Sequence, residues 1–131
     1  MDSVAKIRLG TIILAEVNDP ETDRAAGEHP ALVLSPQADI DAGMDLVVVV
    51  CSTNFAYPLE SGWFDIPTRP GGHDTTGLTE ACVVKATWIA VVPQSNVLRV
   101  KGRAPMAIVR QIQAWLRDKQ RQLRQNRPKE S

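Results

Sequence analysis

Hydrophobic residues fall in short bunches over the first hundred positions and then change period. Ile7 to Val17 mixes apolar and β-branched residues around Gly10, which predicts a strand with a bend at the glycine. Asn18-Asp19-Pro20 breaks it, and residues 18–29 are polar and aperiodic, an expected loop of about twelve residues. Ala31 to Ser35 reads as a short buried strand, started by Pro30 and stopped by Pro36, with a second polar loop over 37–43. Leu46 to Cys51 is an unbroken apolar run, so both faces of that strand are expected to be covered, as in a small closed barrel. Ser52-Thr53-Asn54 ends it with three polar side chains, and residues 55–62, with Pro58, form a turn region. Trp63 to Ile66 predicts a fourth strand, and residues 68–77, with Pro70-Gly71-Gly72, a loop. Residues 79–85 lead into a fifth strand through Val83, Val84 and Lys85. Trp88 to Val92 makes a sixth, and Val97 to Val100 a short seventh.

From Pro105 onward the spacing becomes helical. Met106, Val109, Ile112, Leu116 and Leu123 form an apolar stripe, and Pro105 suits a first helical turn. Arg110, Arg117, Arg121 and Arg124 make a basic stripe beside it. The expected helix covers 105–125, with a frayed basic tail over 126–131. Strands first and one helix last predict a mainly β, α+β domain over residues 1–125. Its expected core is a small antiparallel barrel of six or seven strands, because a parallel sheet would need crossover helices that the pattern lacks.

Composition narrows the class. The chain has 131 residues, 44% hydrophobic and 23% charged, which suits one core. Its longest apolar run is far short of a membrane span, and no basic-then-apolar leader opens the chain. Cys51 and Cys82 form no C-x-x-C, and with His29 and His73 they make no familiar metal spacing. They read as buried thiols of a cytoplasmic protein, and no metal or cofactor is expected. The formal charge is zero, but it is unevenly placed. Residues 101–131 hold nine basic and two acidic residues, a balance of +7, and residues 1–100 hold six basic and thirteen acidic ones, −7. That asymmetry points to an anionic partner at the helix and tail, or else to a solvated basic face.

No phosphate-cradling glycine loop or nucleophile elbow is present, so any catalytic site must be assembled from dispersed residues. His29, before Pro30, can transfer protons near neutral pH. Ser52, Thr53 and Asn54, where a buried strand emerges, can hold a phosphate or a base edge, or simply bond to their own backbone. His73-Asp74 beside the glycines is a weaker imidazole candidate. Lys85 is an outward cation or a phosphate contact, and Trp63, Trp88 and Trp115 suit the core or a subunit interface.

The order of these features is distinctive. Gly10-Thr-Ile-Ile leads to Asn18-Asp-Pro and to Gly27-Glu-His-Pro30, then Ala31-Leu-Val-Leu-Ser-Pro36 and Val47-Val-Val-Val-Cys-Ser-Thr-Asn54. Gly77-Leu-Thr-Glu-Ala-Cys-Val-Val84 and the terminal amphipathic helix follow. Over roughly residues 8–125 this resembles the MazF/PemK family of type II toxin–antitoxin toxins. The resemblance implies an SH3-like, PemK-like barrel, a cytoplasmic homodimer, and a metal-independent endoribonuclease without cofactor. Such an enzyme cuts single-stranded RNA by attack of the ribose 2′-hydroxyl, and it implies an acidic cognate antitoxin. It assigns proton transfer to His29, which stands where the family carries an arginine. It assigns the scissile phosphate to Ser52, at the family's threonine position, and to Thr53. Arg24 and Lys85 would supply positive charge, and Asn54 and Phe55 would contact bases. Thr87 stands where some members carry an aspartate. These departures motivate an alternative: a non-enzymatic module on the same barrel that binds nucleic acid, an acidic antitoxin segment, or a topoisomerase in the manner of CcdB.

Overall fold

The computed structural model describes residues 7–19, 22, 24–67 and 76–125. Six strands form one antiparallel sheet: β1 (Thr11–Asn18), β2 (Ala25–Val33), β3 (Leu46–Ser52), β4 (Trp63–Asp65), β5 (Val83–Val92) and β6 (Val97–Arg103). Their order is β4-β5-β3-β2-β1-β6. A five-residue helix α1 (Gln37–Asp41) links β2 to β3, and the twenty-residue α2 (Met106–Gln125) closes the described chain. The mainly β class and the C-terminal helix agree with the sequence pattern.

Period-two alternation divides the sheet into two buried faces. Ile12, Leu32, Val49, Cys51 and Val84 share one face with Val109 and Ile112 of α2. Ile13, Ala15, Ala31, Val33, Val48 and Val50 share the other with Ile40 of α1 and Val92. Leu46 to Cys51 is therefore apolar without alternation because each side meets its own core. The edges of the sheet are drawn together by the segment before β5. A Cβ on Gly77, at φ +69°, would overlap the carbonyl of Lys101 on β6. The chain feeding β5 thus crosses to the far edge strand and bends the sheet toward a barrel.

Four sequence expectations change. The strand expected from Ala31 begins at Ala25, so the long loop shrinks and His29 and Pro30 lie inside β2. Residues 25–30 pair only with β1, and the β2–β3 ladder reaches no further than Ala31↔Val50. A strand paired on one edge needs no apolar run, and Pro30 forfeits no bond on the other edge. The polar stretch after Pro36 contains α1, held by the Pro36 carbonyl accepting from the Asp39 and Ile40 amides and by buried Ile40. It is too short for a helical period to register. The expected fifth and sixth strands are one, so the described strands number six. Val50 pairs with Lys85 while Val49 pairs with Ile89, and the extra residues on β5 form a bulge. There the Ala86 amide donates to the carbonyl of Gly62 at 2.7 Å. Finally, the last strand runs to Arg103 rather than stopping near Val100.

Helix α2 docks through Val109 and Ile112, with Ile108, Trp115 and Leu116 partly buried beside them. Fully burying an aliphatic side chain of this size contributes about 1.5–3 kcal/mol. From Arg117 to Arg124 the helix is exposed on all sides. No described helix is long and apolar enough to cross a membrane. The tail over 126–131 lies outside the described residues.

Candidate functional site

Cross-strand register decides which candidate residues meet. Residues directly opposite in a ladder point to the same side of the sheet. Ser52 ends β3 on the face of Val48 and Val50, and it pairs with Val83, which pairs in turn with Asp65 on β4. The row next to it runs from Val50 through Lys85 to Trp63. His29 lies opposite Ala15, on the face of Ala31 and Val33. The β2–β3 register, continued two residues past Ala31↔Val50, leads to His29 and Ser52. His29 thus lies beyond the last β2–β3 pair; it faces the same side of the sheet as Ser52 and Lys85, whose ammonium turns to Trp63 on β4.

Each of these groups has a local partner. The His29 ring packs on Trp88, with centroids 5.2 Å apart and planes inclined at 60°. Its Nε2 donates to the Ala26 carbonyl at 3.1 Å, because a carbonyl can only accept. That tautomer leaves Nδ1 as the nitrogen able to take a proton. Trp88 is itself fixed by its indole N–H, which donates to the carbonyl of Asn18 at 2.8 Å. Ser52 is 6% exposed, and its Oγ accepts the Asn54 amide at 3.0 Å. Thr53 and Asn54 are exposed at the strand end. The Lys85 ammonium lies 4.0 Å above the Trp63 ring, a cation–π contact, and the Trp63 indole donates to Thr87 Oγ1 at 3.3 Å.

Arg24 is not brought to this group. It stands exposed at the β1–β2 turn, where its carbonyl accepts the Asp19 amide at 2.7 Å. Five positions separate it from His29 along β2, roughly 16 Å at about 3.3 Å per residue. Phe55 lies in the β3–β4 connection and packs edge-on against Tyr57, with centroids 5.7 Å apart. His73 and Asp74 lie outside the described residues. Trp115 covers the β3–β4 connection and donates to Ser61 Oγ at 3.0 Å.

Sequence reasoning missed Tyr57 and Asp65. The Tyr57 hydroxyl donates to Asp65 Oδ1 at 2.7 Å, and that bond pushes the phenol above its ordinary range. Both line a cavity of about 420 Å³ together with Phe55, Ile66, Cys82 and Ile108. Only the turn between β3 and β4 sets Tyr57 beside Asp65, and no local sequence signal encodes that contact. Cys82 and Cys51 are free thiols that touch. Interaction with Cys82 raises Cys51, as burial does, and the same interaction pulls Cys82 below the ordinary thiol range against a weaker effect of burial.

A second cavity, about 620 Å³, opens between α2 and the opposite face of the sheet. Leu34, Val47, Ile89, Leu116 and Leu123 line it, flanked by Arg117 and Lys119. Ile89 is 50% exposed, Val91 beside it 62% and Leu123 71%, an apolar patch along the β3–β5 ladder and the end of α2. Arg110, Arg117, Arg121 and Arg124 are all exposed, and Arg121 pairs weakly with Asp118 at 3.7 Å.

Residues 8–119 match a family model described as a PemK-like, MazF-like toxin of type II toxin–antitoxin systems. No curated protein matches the chain.

Proposed function

The chain belongs to the PemK-like, MazF-like toxins of type II toxin–antitoxin systems, and from that premise we propose that it is a metal-independent endoribonuclease acting on single-stranded RNA. A toxin of such a system has a cognate antitoxin as partner. The observation that carries the enzymatic reading is the register. It gives His29, Ser52 and Lys85 a common side of three neighbouring strands, which supports the reading. In the reaction, His29 Nδ1 accepts the proton of the ribose 2′-hydroxyl. The 2′-oxygen forms a bond to phosphorus as the bond to the 5′-oxygen breaks. The 5′-oxygen takes up a proton from solvent water, which leaves a 2′,3′-cyclic phosphate and a 5′-hydroxyl. Proton transfer by a positioned side chain typically contributes about 10²–10⁴-fold. Ser52 and Thr53 hold the phosphate by hydroxyl donation, and Lys85 offsets its developing charge. An ammonium is a point charge, so this arrangement substitutes proton transfer plus one cation for a guanidinium fork. Asn54 and Phe55 meet bases beside the cut, and Arg24 meets the RNA backbone further away, at the β1–β2 turn.

The protein acts as a cytoplasmic homodimer in this reading. The apolar patch of Val47, Ile89, Val91 and Leu123 supports self-association, because contiguous exposed apolar surface of this kind marks interfaces. The acidic antitoxin segment finds its complement in the basic stripe of α2.

A second reading is favoured by one observation. Ser52 Oγ is nearly buried and already accepts an amide from its own chain. A module of the same fold that binds nucleic acid, an acidic antitoxin segment or a topoisomerase without cutting RNA would need no free hydroxyl there. The test is cleavage of single-stranded RNA by purified protein in EDTA, with ends mapped by primer extension. Cutting that drops at least about 100-fold in both His29→Ala and Ser52→Ala supports the enzyme. Cutting at the wild-type rate by both variants overturns the site, and growth arrest without any cutting selects the second reading.

A further inference from the structure

The cavity beside Tyr57 has no part in the proton transfers above. Its walls are apolar and aromatic, from Phe55, Tyr57, Ile66, Ala81 and Ile108, and Asp65 is the charged group among the described residues that line it. Its volume of about 420 Å³ lies within the range of small-ligand sites, about 300–1,000 Å³. We propose that this cavity is a nucleobase site that selects guanine next to the scissile phosphate. The assignment rests on the RNA reading given above.

Three features carry it. The first is position. Asp65, Val83 and Ser52 form one row across β4, β5 and β3. Asp65 therefore stands two strand spacings from Ser52, about 10 Å. That is the reach of a nucleotide from its phosphate to the far edge of its base, and because Val83 is fully buried the path runs over the exposed Thr53 and Asn54 to Phe55 at the cavity. The second is the wall. Unstacked bases of single-stranded RNA are held on aromatic side chains. Tyr57 is exposed and Phe55 half-buried against it, so the pair presents ring surface at the cavity.

The third feature is the acceptor. An ionised carboxylate can only accept hydrogen bonds. Among the four bases, guanine alone presents two adjacent N–H donors on its Watson–Crick edge, at N1 and N2. Adenine and cytosine set a lone pair beside their amino group, and uracil flanks its single N–H with two carbonyls. Each of those would place an acceptor against the carboxylate. The Tyr57 hydroxyl, donating to Oδ1 at 2.7 Å, fixes the plane of the carboxylate and leaves Oδ2 and the second Oδ1 lone pair for the base. Tyr57 is thus the positioning residue and Asp65 the reader.

The experiment uses oligouridine carrying a single guanosine, inosine or adenosine, with every sugar 2′-O-methylated so that it cannot be cut. Binding to the full-length protein is followed by fluorescence anisotropy. Guanosine is expected to bind about ten- to a hundredfold more tightly than inosine, which lacks only the 2-amino group, or adenosine, as for a bidentate base contact. Asp65→Asn is expected to erase the difference, and Tyr57→Phe to reduce it several-fold. The inosine arm needs no protein variant, so a folding defect cannot mimic the result. Equal binding of all three oligomers by the wild type overturns the proposal, as does a guanosine preference that survives Asp65→Asn. Cutting the unmethylated RNAs alongside separates the two readings. Cutting without base preference removes the guanine site and leaves the nuclease. Guanosine preference without cutting supports the site and removes the nuclease. Failure to bind any oligomer overturns the guanine site, and with no cutting of the unmethylated RNAs it overturns both.

Discussion

Gly62 joins the fold to the candidate site, and its replacement by alanine has a calculable effect. Its φ is +90°, a conformation that side-chain-bearing residues adopt at a cost of about 1–2 kcal/mol. A Cβ would stand 2.6 Å from Trp115 Cζ2 and 2.8 Å from Cη2, well inside contact distance. Overpacking of this kind typically costs about 1–3 kcal/mol. Moving the indole aside also weakens its 3.0 Å bond to Ser61, worth about 1 kcal/mol. Together these give a loss of roughly 3–6 kcal/mol, a large share of a typical domain's stability. Urea unfolding followed by tryptophan fluorescence measures it. A double-mutant cycle with Trp115→Ala separates the two effects, since removing the ring abolishes the clash but leaves the backbone strain. The perturbation should also reach the site, because the Gly62 carbonyl accepts the Ala86 amide and Trp63, its neighbour, carries Lys85. A loss below about 1 kcal/mol, or strict additivity of Gly62→Ala and Trp115→Ala, refutes the reasoning.

Other consequences are as direct. Ile89→Lys should convert the proposed dimer to a monomer in light scattering with little change in circular dichroism, and an unaltered mass would place the interface elsewhere. Cys82 should be alkylated by iodoacetamide before Cys51, with its rate levelling at lower pH than an ordinary thiol. Its thiolate is stabilised first by the interaction with Cys51, so Cys51→Ala should move that midpoint upward; no movement contradicts that interaction. If the α2 stripe meets a polyanion, log affinity for single-stranded RNA should fall linearly with log salt. Replacing Arg117 and Arg121 by Gln should then flatten the slope by about 0.7 for each phosphate no longer neutralised, and an unchanged slope would make the stripe a solvated face.

Much of the fold is legible in the chain itself. Leu46 to Cys51 announces a strand covered on both sides, and the structure supplies a separate core for each side. Pro105 and the stripe after it announce α2 to within a residue. Where expectation and structure part, local signals are weakest. Residues 25–30 are polar because a strand paired on one edge beyond the core has nothing to bury. The bulge at Ala86 to Trp88 disguises one strand as two. Five residues of α1 complete too little of a helical period.

The candidate site divides in the same way. Residue types and strand ends drew attention to His29, Ser52, Thr53, Asn54 and Lys85, because polar groups closing apolar runs can be seen in one dimension. Their neighbours could not be read so. Trp88 reaches His29, Trp63 takes Lys85, and Tyr57 meets Asp65 through contacts between residues 8 to 59 positions apart. The same contacts leave Arg24 at a distant turn. Alternation and helical period are properties of neighbouring residues, so the strands, the helix and the chemical types on offer are written locally in the chain. Which of those groups share a face depends on strand order and register. Both follow from the packing of two cores on opposite sides of one sheet, and such packing joins residues too far apart for any local pattern to record.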